Sequence, residues 1–228
     1  MKWGVNRSGE VTVVGIDVGG VGKGFHAVAL RGGRFVAAMT IDNPADLADW
    51  CLDHAARVVA VDAPCAWSQS GSSRLSERQL NIGGQTIQCF KTPTRECALQ
   101  NASGFYDWVF NGERLYRELA KRYPLFDGRR GNGRAVFETF PHAVVCALAG
   151  KLVAAKPKAT ARRRALRDQG CDDSVLPNID CVDAGLCALS AKAFADDRWQ
   201  GFGDKHEGII VVPRMRRGDA LAPGQGFM

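Results

Sequence analysis

Two apolar runs in the first third of the chain each end on a carboxylate. Val11-Thr12-Val13-Val14-Gly15-Ile16 leads into Asp17, and Val58-Val59-Ala60-Val61 leads into Asp62. Continuous apolar runs of this length predict strands buried on both faces, as at the centre of an α/β sheet. Each run delivers one acid to a strand end beside small residues, with Gly19 and Gly20 after Asp17, and Ala63 and Pro64 after Asp62. A fold built on both strands collects negative charge at their ends, which suits a divalent metal or a phosphate held through one.

The segments between the runs constrain how the strands meet. Residues 24–31 and 35–39 predict two more strands joined by short glycine turns, an antiparallel meander. Asn43-Pro44 opens a helix, with Asn43 as N-cap, Pro44 at the first position, and Leu47, Trp50 and Cys51 at helical spacing. Passing from the meander through a helix into strand 57–63 predicts a crossover, which sets the fourth strand parallel to the first. Asp17 and Asp62 then share the edge at which ligands bind in open α/β sheets.

Residues 65–133 break the regularity. They are Ser-rich from Ser68 to Ser76, contain Gly83-Gly84, and predict one helix near 105–122. This stretch is expected to be an insertion after the fourth strand, a candidate lid. A short strand over 134–138 then ends on a third carboxylate, Glu138, and Pro141 starts a helix over 141–150. The last strong helix, 179–195, carries Asp180 and Asp183 one turn apart on one face, and 209–212 predicts a late strand stopped by Pro213.

A basic segment at about 151–170 separates these parts. It holds Lys156, Lys158, Arg162, Arg163, Arg164 and Arg167, with Arg129, Arg130 and Arg134 before it and Arg214, Arg216 and Arg217 near the end. Guanidinium binds phosphate bidentately, so Lys158, Arg162, Arg163 and Arg164 are candidate substrate contacts, although a solvated helix face explains such a run equally. Arg74 and Arg78 in the insertion are further candidates, with a surface helix as the alternative. The net charge of +6 leans the same way, toward a polyanion such as DNA or RNA.

Other classes are disfavoured. The 8 cysteines include no C-x-x-C pair, so a zinc site is not expected. No apolar run approaches the ~20 residues of a membrane span, and the first seven residues lack the apolar core of a secretion signal. The expectation is one cytoplasmic domain over residues 1–228 that does not enter membranes; the sequence leaves its oligomeric state open.

Taken in order, GIDVG at 15–19, VAVDAP at 59–64, FETFPHAV at 137–144, RRRALR at 162–167, DCVDAGLCALSAKA at 180–193 and EGIIVVP at 207–213 are similar to the predicted-nuclease family known as domain of unknown function 429. That family resembles the ribonuclease H-like superfamily. The resemblance implies a mixed five-stranded sheet flanked by helices, with the first three strands antiparallel and the later ones parallel. It also implies a metal site made by acids on the first strand, the fourth strand and the last helix. The pair Asp180 and Asp183 resembles the helix-borne acids of Holliday-junction resolvases. Those resolvases carry Glu on the fourth strand, where this chain has Asp62.

The expected chemistry is phosphodiester hydrolysis with two Mg²⁺ or Mn²⁺ ions, which need several oxygen ligands. Asp17, Asp62 and Asp183 are the expected metal ligands, with Asp180 or Glu138 assisting. Glu138 could instead neutralise a nearby arginine or cap the next helix. His142, close to Glu138 in sequence, could be a site residue or a packed one. Two other functions stay open. Gly15 to Gly20 with Lys23 resembles the first phosphate motif of actin-like sugar kinases, which suits a phosphotransferase or nucleotide-binding protein. A non-catalytic nucleic-acid-binding protein would keep the fold alone.

Overall fold

The computed structural model describes residues 10–20, 22–129, 131 and 133–214. Arg130, Arg216, Arg217 and the first seven residues, singled out from the sequence, lie outside the described residues. The chain opens with β1 (Thr12–Val18), β2 (Phe25–Arg31), β3 (Arg34–Ile41), α1 (Pro44–Asp53) and β4 (Ala56–Asp62). The insertion contributes α2 (Leu75–Gln79), the hairpin β5 (Asn81–Ile82) and β6 (Gln85–Thr86), α3 (Arg95–Leu99) and α4 (Asp107–Leu119). The remainder is β7 (Ala135–Glu138), α5 (Pro141–Ala149), α6 (Lys158–Asp168), α7 (Ile179–Ala195), β8 (Trp199–Asp204) and β9 (Gly208–Pro213).

The main sheet has the order β3-β2-β1-β4-β7-β9-β8. β1, β2 and β3 form the antiparallel meander, and β4, β7 and β9 follow in parallel. This is the mixed arrangement that the ribonuclease H-like resemblance implies. It has seven strands rather than five. β9 extends the parallel set beside β7, and β8 folds back antiparallel along β9. The sequence of β8, Trp-Gln-Gly-Phe-Gly-Asp, alternates poorly and carries two glycines, so it lacks a strand signature of its own. Its partner, buried along its whole length, supplies the ladder.

Period-two alternation divides the central strands between two cores. Val13, Val28, Val58 and Ala60 face α5 and α7, whereas Val14, Ile16, Val59 and Val61 face α1 and α4. Gly15 lies on the α7 side. A Cβ there would stand 2.0 Å from the Ala184 carbonyl oxygen and 2.1 Å from the Ala188 nitrogen. The helix backbone therefore rests almost directly on β1, two residues before Asp17. α1 begins as expected, with the Asn43 side chain accepting from the Ala45 N–H at 2.8 Å and Pro44 at its first position.

The insertion is fastened to the sheet by charge. Arg74, 1% exposed, donates to both Glu138 carboxylate oxygens at 2.7 and 2.6 Å, and its Nε donates to Glu77 at 2.7 Å. Glu138 also accepts from the Cys65 N–H, and Glu77 from the Thr92 N–H and hydroxyl. Glu207 completes the network by accepting from the Gln69 and Leu75 N–H groups. Among the described residues no helix is long and apolar enough to cross a membrane.

Candidate active site

Strand pairing puts the two opening acids side by side. Asp17 and Asp62 are register partners at the ends of parallel β1 and β4 and share a side-chain hydrogen bond. This crowding favours the protonated form of both carboxyls when no cation is near. Burial, then the charges of Asp183 and Asp180, push the Asp17 carboxyl up to about 7. Burial, then Asp17 and Asp183, drive Asp62 well above the usual carboxylate range. Like charges crowded in a poorly solvated site cannot all ionise without a cation.

α7 supplies the other two acids. Asn178 caps it by accepting from the Cys181 N–H at 2.8 Å, which fixes where the helix starts. Asp183, one turn in, is 1% exposed. Its carboxylate pairs with Lys158 at 2.9 Å and with Arg162, both from α6. Burial raises the Asp183 carboxyl, while Arg162 and Lys158 hold it down. Asp180 is half-buried and reaches His26 Nε2 at 3.7 Å. The close seat of α7 on Gly15 is what lets helix acids and strand acids converge.

An open cleft of about 330 Å³ leads to Asp17. Asp17, His26 and Asp180 line it, together with the Gly19-Gly20 turn and Lys23. Gly104 and Trp108 from the insertion line it too. The insertion is pinned over the turn by Asn111, which donates to the Gly19 carbonyl at 2.8 Å.

His26 was not singled out in the sequence. It sits opposite Asp17 in the β1–β2 register, and its Nδ1 lies 3.0 Å from the Thr40 hydroxyl. The short glycine turn joining the two strands was the signal that could have found it, because that turn fixes the register. His142, by contrast, packs at the start of α5 against Cys146 and Phe140, and burial and Arg162 lower its pKa.

The structure redistributes the expected substrate contacts. Lys158 and Arg162 stand at the acids. Arg78 is 52% exposed, donates to the Ser73 carbonyl and approaches Glu207. Arg164 is 77% exposed and faces Asp168. Three of the expected site residues are engaged elsewhere. Arg74 is buried with its guanidinium committed to Glu138 and Glu77. Glu138 is correspondingly a counter-ion, with both oxygens occupied. Arg163 is tied to Asp173, to the Asp173 carbonyl and to the Leu176 carbonyl, and so braces α6 against the turn before α7.

The donor chemistry suits a hard cation. Asp17 and Asp62 offer only oxygen, and a divalent ion would offset the crowding that disfavours their ionised forms. Among the described residues no three His, Cys, Asp or Glu side chains are already grouped as a ligand set. The third acid, Asp183, has its oxygens engaged by Lys158 and Arg162, so the residues fit one ion at Asp17 and Asp62 most directly.

A family model described as "Protein of unknown function (DUF429)" matches residues 15–208. No curated protein matches the sequence. Among solved structures, the chain is similar to "Thermus thermophilus RuvC structure", with 17% identity, 78% of this chain and 92% of that chain covered, and a TM-score of 0.40.

Proposed function

We propose that this chain, which belongs to the DUF429 family, is a divalent-metal-dependent nuclease that hydrolyses phosphodiester bonds at the Asp17–Asp62 edge. The observation that carries this reading is the register-paired carboxylates Asp17 and Asp62 on neighbouring parallel strands, with a third, cation-bound acid on α7. Asp17 and Asp62 would hold Mg²⁺ or Mn²⁺. A bound ion would neutralise charge on the scissile phosphate and make water a better nucleophile.

The chain's own residues do the rest. Asp17 and Asp62, both raised above the usual carboxylate range, would have to be ionised to hold the cation. Lys158, half exposed, can turn from Asp183 to a phosphate oxygen, while Arg162, only 12% exposed, keeps Asp183 neutralised. Should a second ion bind, Asp183 and Asp180 are its ligands, and it must displace one of those cations. Lys23 and the Gly19–Gly20 turn supply positive charge and open backbone for the incoming strand. Asp180 lies 3.7 Å from His26 Nε2, and both line the cleft beside Asp17.

The 65–133 insertion acts as the wall and lid of the site. All eight cysteines are free, five of them buried, which suits a reducing cytoplasm. The test is metal-dependent cleavage of mixed DNA and RNA by wild type and Asp17→Asn. Activity that needs Mg²⁺ or Mn²⁺ and disappears in the variant is expected. Equal activity in the two would remove Asp17 from the mechanism. ATP raising the melting temperature more than metal and oligonucleotide do would favour the phosphotransferase reading instead.

A further inference from the structure

An aromatic cluster of the insertion reaches the cleft through Trp108. Phe90, Phe105, Tyr106 and Trp108 form one cluster, with ring centroids 4.9 Å apart for Phe90 and Trp108, 5.0 Å for Phe105 and Tyr106, and 6.1 Å for Phe90 and Phe105. Trp108 lines the cleft together with Asp17, and Phe105 follows directly on Gly104, which lines it too. Phe105 is 58% exposed, and Phe90, Tyr106 and Trp108 are half-buried. Phe90–Trp108 and Phe105–Tyr106 meet edge to face and Phe90–Phe105 is tilted at 47°, contacts that restrain the rings while Phe105 stays exposed.

The cluster is also held at a set distance from the carboxylates. Asn111, one turn along α4 from Trp108, is bonded to the Gly19 carbonyl, and the Trp108 side chain packs against the core beneath β1. Lys91, exposed, follows Phe90 in sequence, and Lys23 lines the same cleft as Trp108. A partly exposed aromatic cluster reaching a cleft that a lysine also lines, beside a candidate phosphate-cleaving centre, matches one ligand chemistry. It is a nucleobase on a chain of phosphates, with the base against a ring and the phosphates toward the lysines.

We propose that Phe105 and Trp108 form a base-stacking subsite, and that the substrate is single-stranded or unpaired at the position cleaved. This rests on the nuclease reading. In a duplex both faces of each base are covered by neighbouring bases, so a stacking wall beside the scissile phosphate engages a base only where pairing and stacking have been given up. The wall reads neither sequence nor sugar, because every base has a π face.

The experiment uses the full chain carrying Asp17→Asn, so that bound strands are not cut. Fluorescence anisotropy measures its binding to a labelled single-stranded oligodeoxynucleotide, to the oligoribonucleotide of the same sequence, and to the matching duplex. Both single strands are expected to bind at least about tenfold more tightly than the duplex. Phe105→Ala and Trp108→Ala should each weaken single-strand binding about tenfold and leave duplex binding unchanged. Phe105 is exposed, so its variant keeps the test valid should Trp108→Ala fold poorly, and Phe105→Tyr should restore affinity.

Duplex binding as strong as single-strand binding overturns the proposal. So does single-strand affinity within twofold of the parent in Phe105→Ala, or self-association that Phe105→Ala abolishes without any oligonucleotide binding. The two readings separate cleanly. Aromatic-dependent binding with no cleavage by wild type in Mn²⁺ would refute the nuclease alone. Cleavage indifferent to Phe105 and Trp108 would refute the subsite alone.

Discussion

Asp17→Asn should make the metal-free protein more stable at pH 8 while abolishing metal-dependent cleavage. In the folded chain the Asp17 carboxyl holds its proton up to about pH 7, against an ordinary value of 3.8. Between those values the folded state binds a proton that the unfolded state has released, so wild type loses stability as the pH rises through this window. At ~1.4 kcal/mol per pH unit, the full gap corresponds to about 4 kcal/mol. The carboxyl is partly exposed at the cleft, and solvent screening reduces the expected value to roughly 2 kcal/mol. Asn cannot ionise and can still hydrogen-bond with Asp62. Urea unfolding should therefore show the variant about 2 kcal/mol more stable at pH 8 and equal to wild type near pH 4. Adding Mg²⁺ or Mn²⁺ at pH 8 should stabilise wild type and leave the variant unmoved. A variant less stable than wild type at pH 8, or a difference that ignores pH, would refute the idea that these carboxylates are crowded together at a cost.

Glu138→Gln should destabilise by about 3–5 kcal/mol in urea, because buried Arg74 loses its bidentate carboxylate and keeps only Glu77; removing both partners should cost less than the summed single changes. Gly15→Ala should cost at least about 2–3 kcal/mol, since the new methyl meets the α7 backbone, and cleavage should fall further than stability; a neutral result would contradict the close seat of the helix. Lys158→Ala should leave the melting temperature nearly unchanged yet lower cleavage and flatten the salt dependence of oligonucleotide binding. Arg163→Ala should do the reverse, lowering the melting temperature through loss of its Asp173 contacts, with the salt dependence kept.

Elements whose own residues set their burial were legible in the sequence. The runs ending at Asp17 and Asp62, the Asn43-Pro44 start and the helix over Ile179–Ala195 all carry local signals, and the parallel crossover followed from chain order. What escaped depends on partners distant in sequence. β8 is a strand because β9 lies beside it, and α6 is so rich in arginine that it shows no apolar stripe. The insertion hid its logic for the same reason. Arg74 and Glu138 stand 64 residues apart, and neither looks different from a surface charge until the fold buries both. At the site, Asp17 and Asp62 could be paired by reasoning from strand order, but the hold of Lys158 and Arg162 on Asp183 required the packing of α6 on α7.

The buried tie between Arg74 and Glu138 bears on how this architecture can evolve. A segment inserted after β4 would ordinarily be a tolerant appendage, free to shrink or be exchanged. Here the sheet contains a negative socket in β7 whose plug is carried by the insertion. Excising residues 65–133 would expose an unpaired carboxylate in the interior, and grafting the bare sheet elsewhere would carry the same defect. Positions 74, 77 and 138 are thus bound to change together, arginine with its two acids or all three to uncharged residues, and loop exchange between relatives should succeed only where position 138 is exchanged with the insertion.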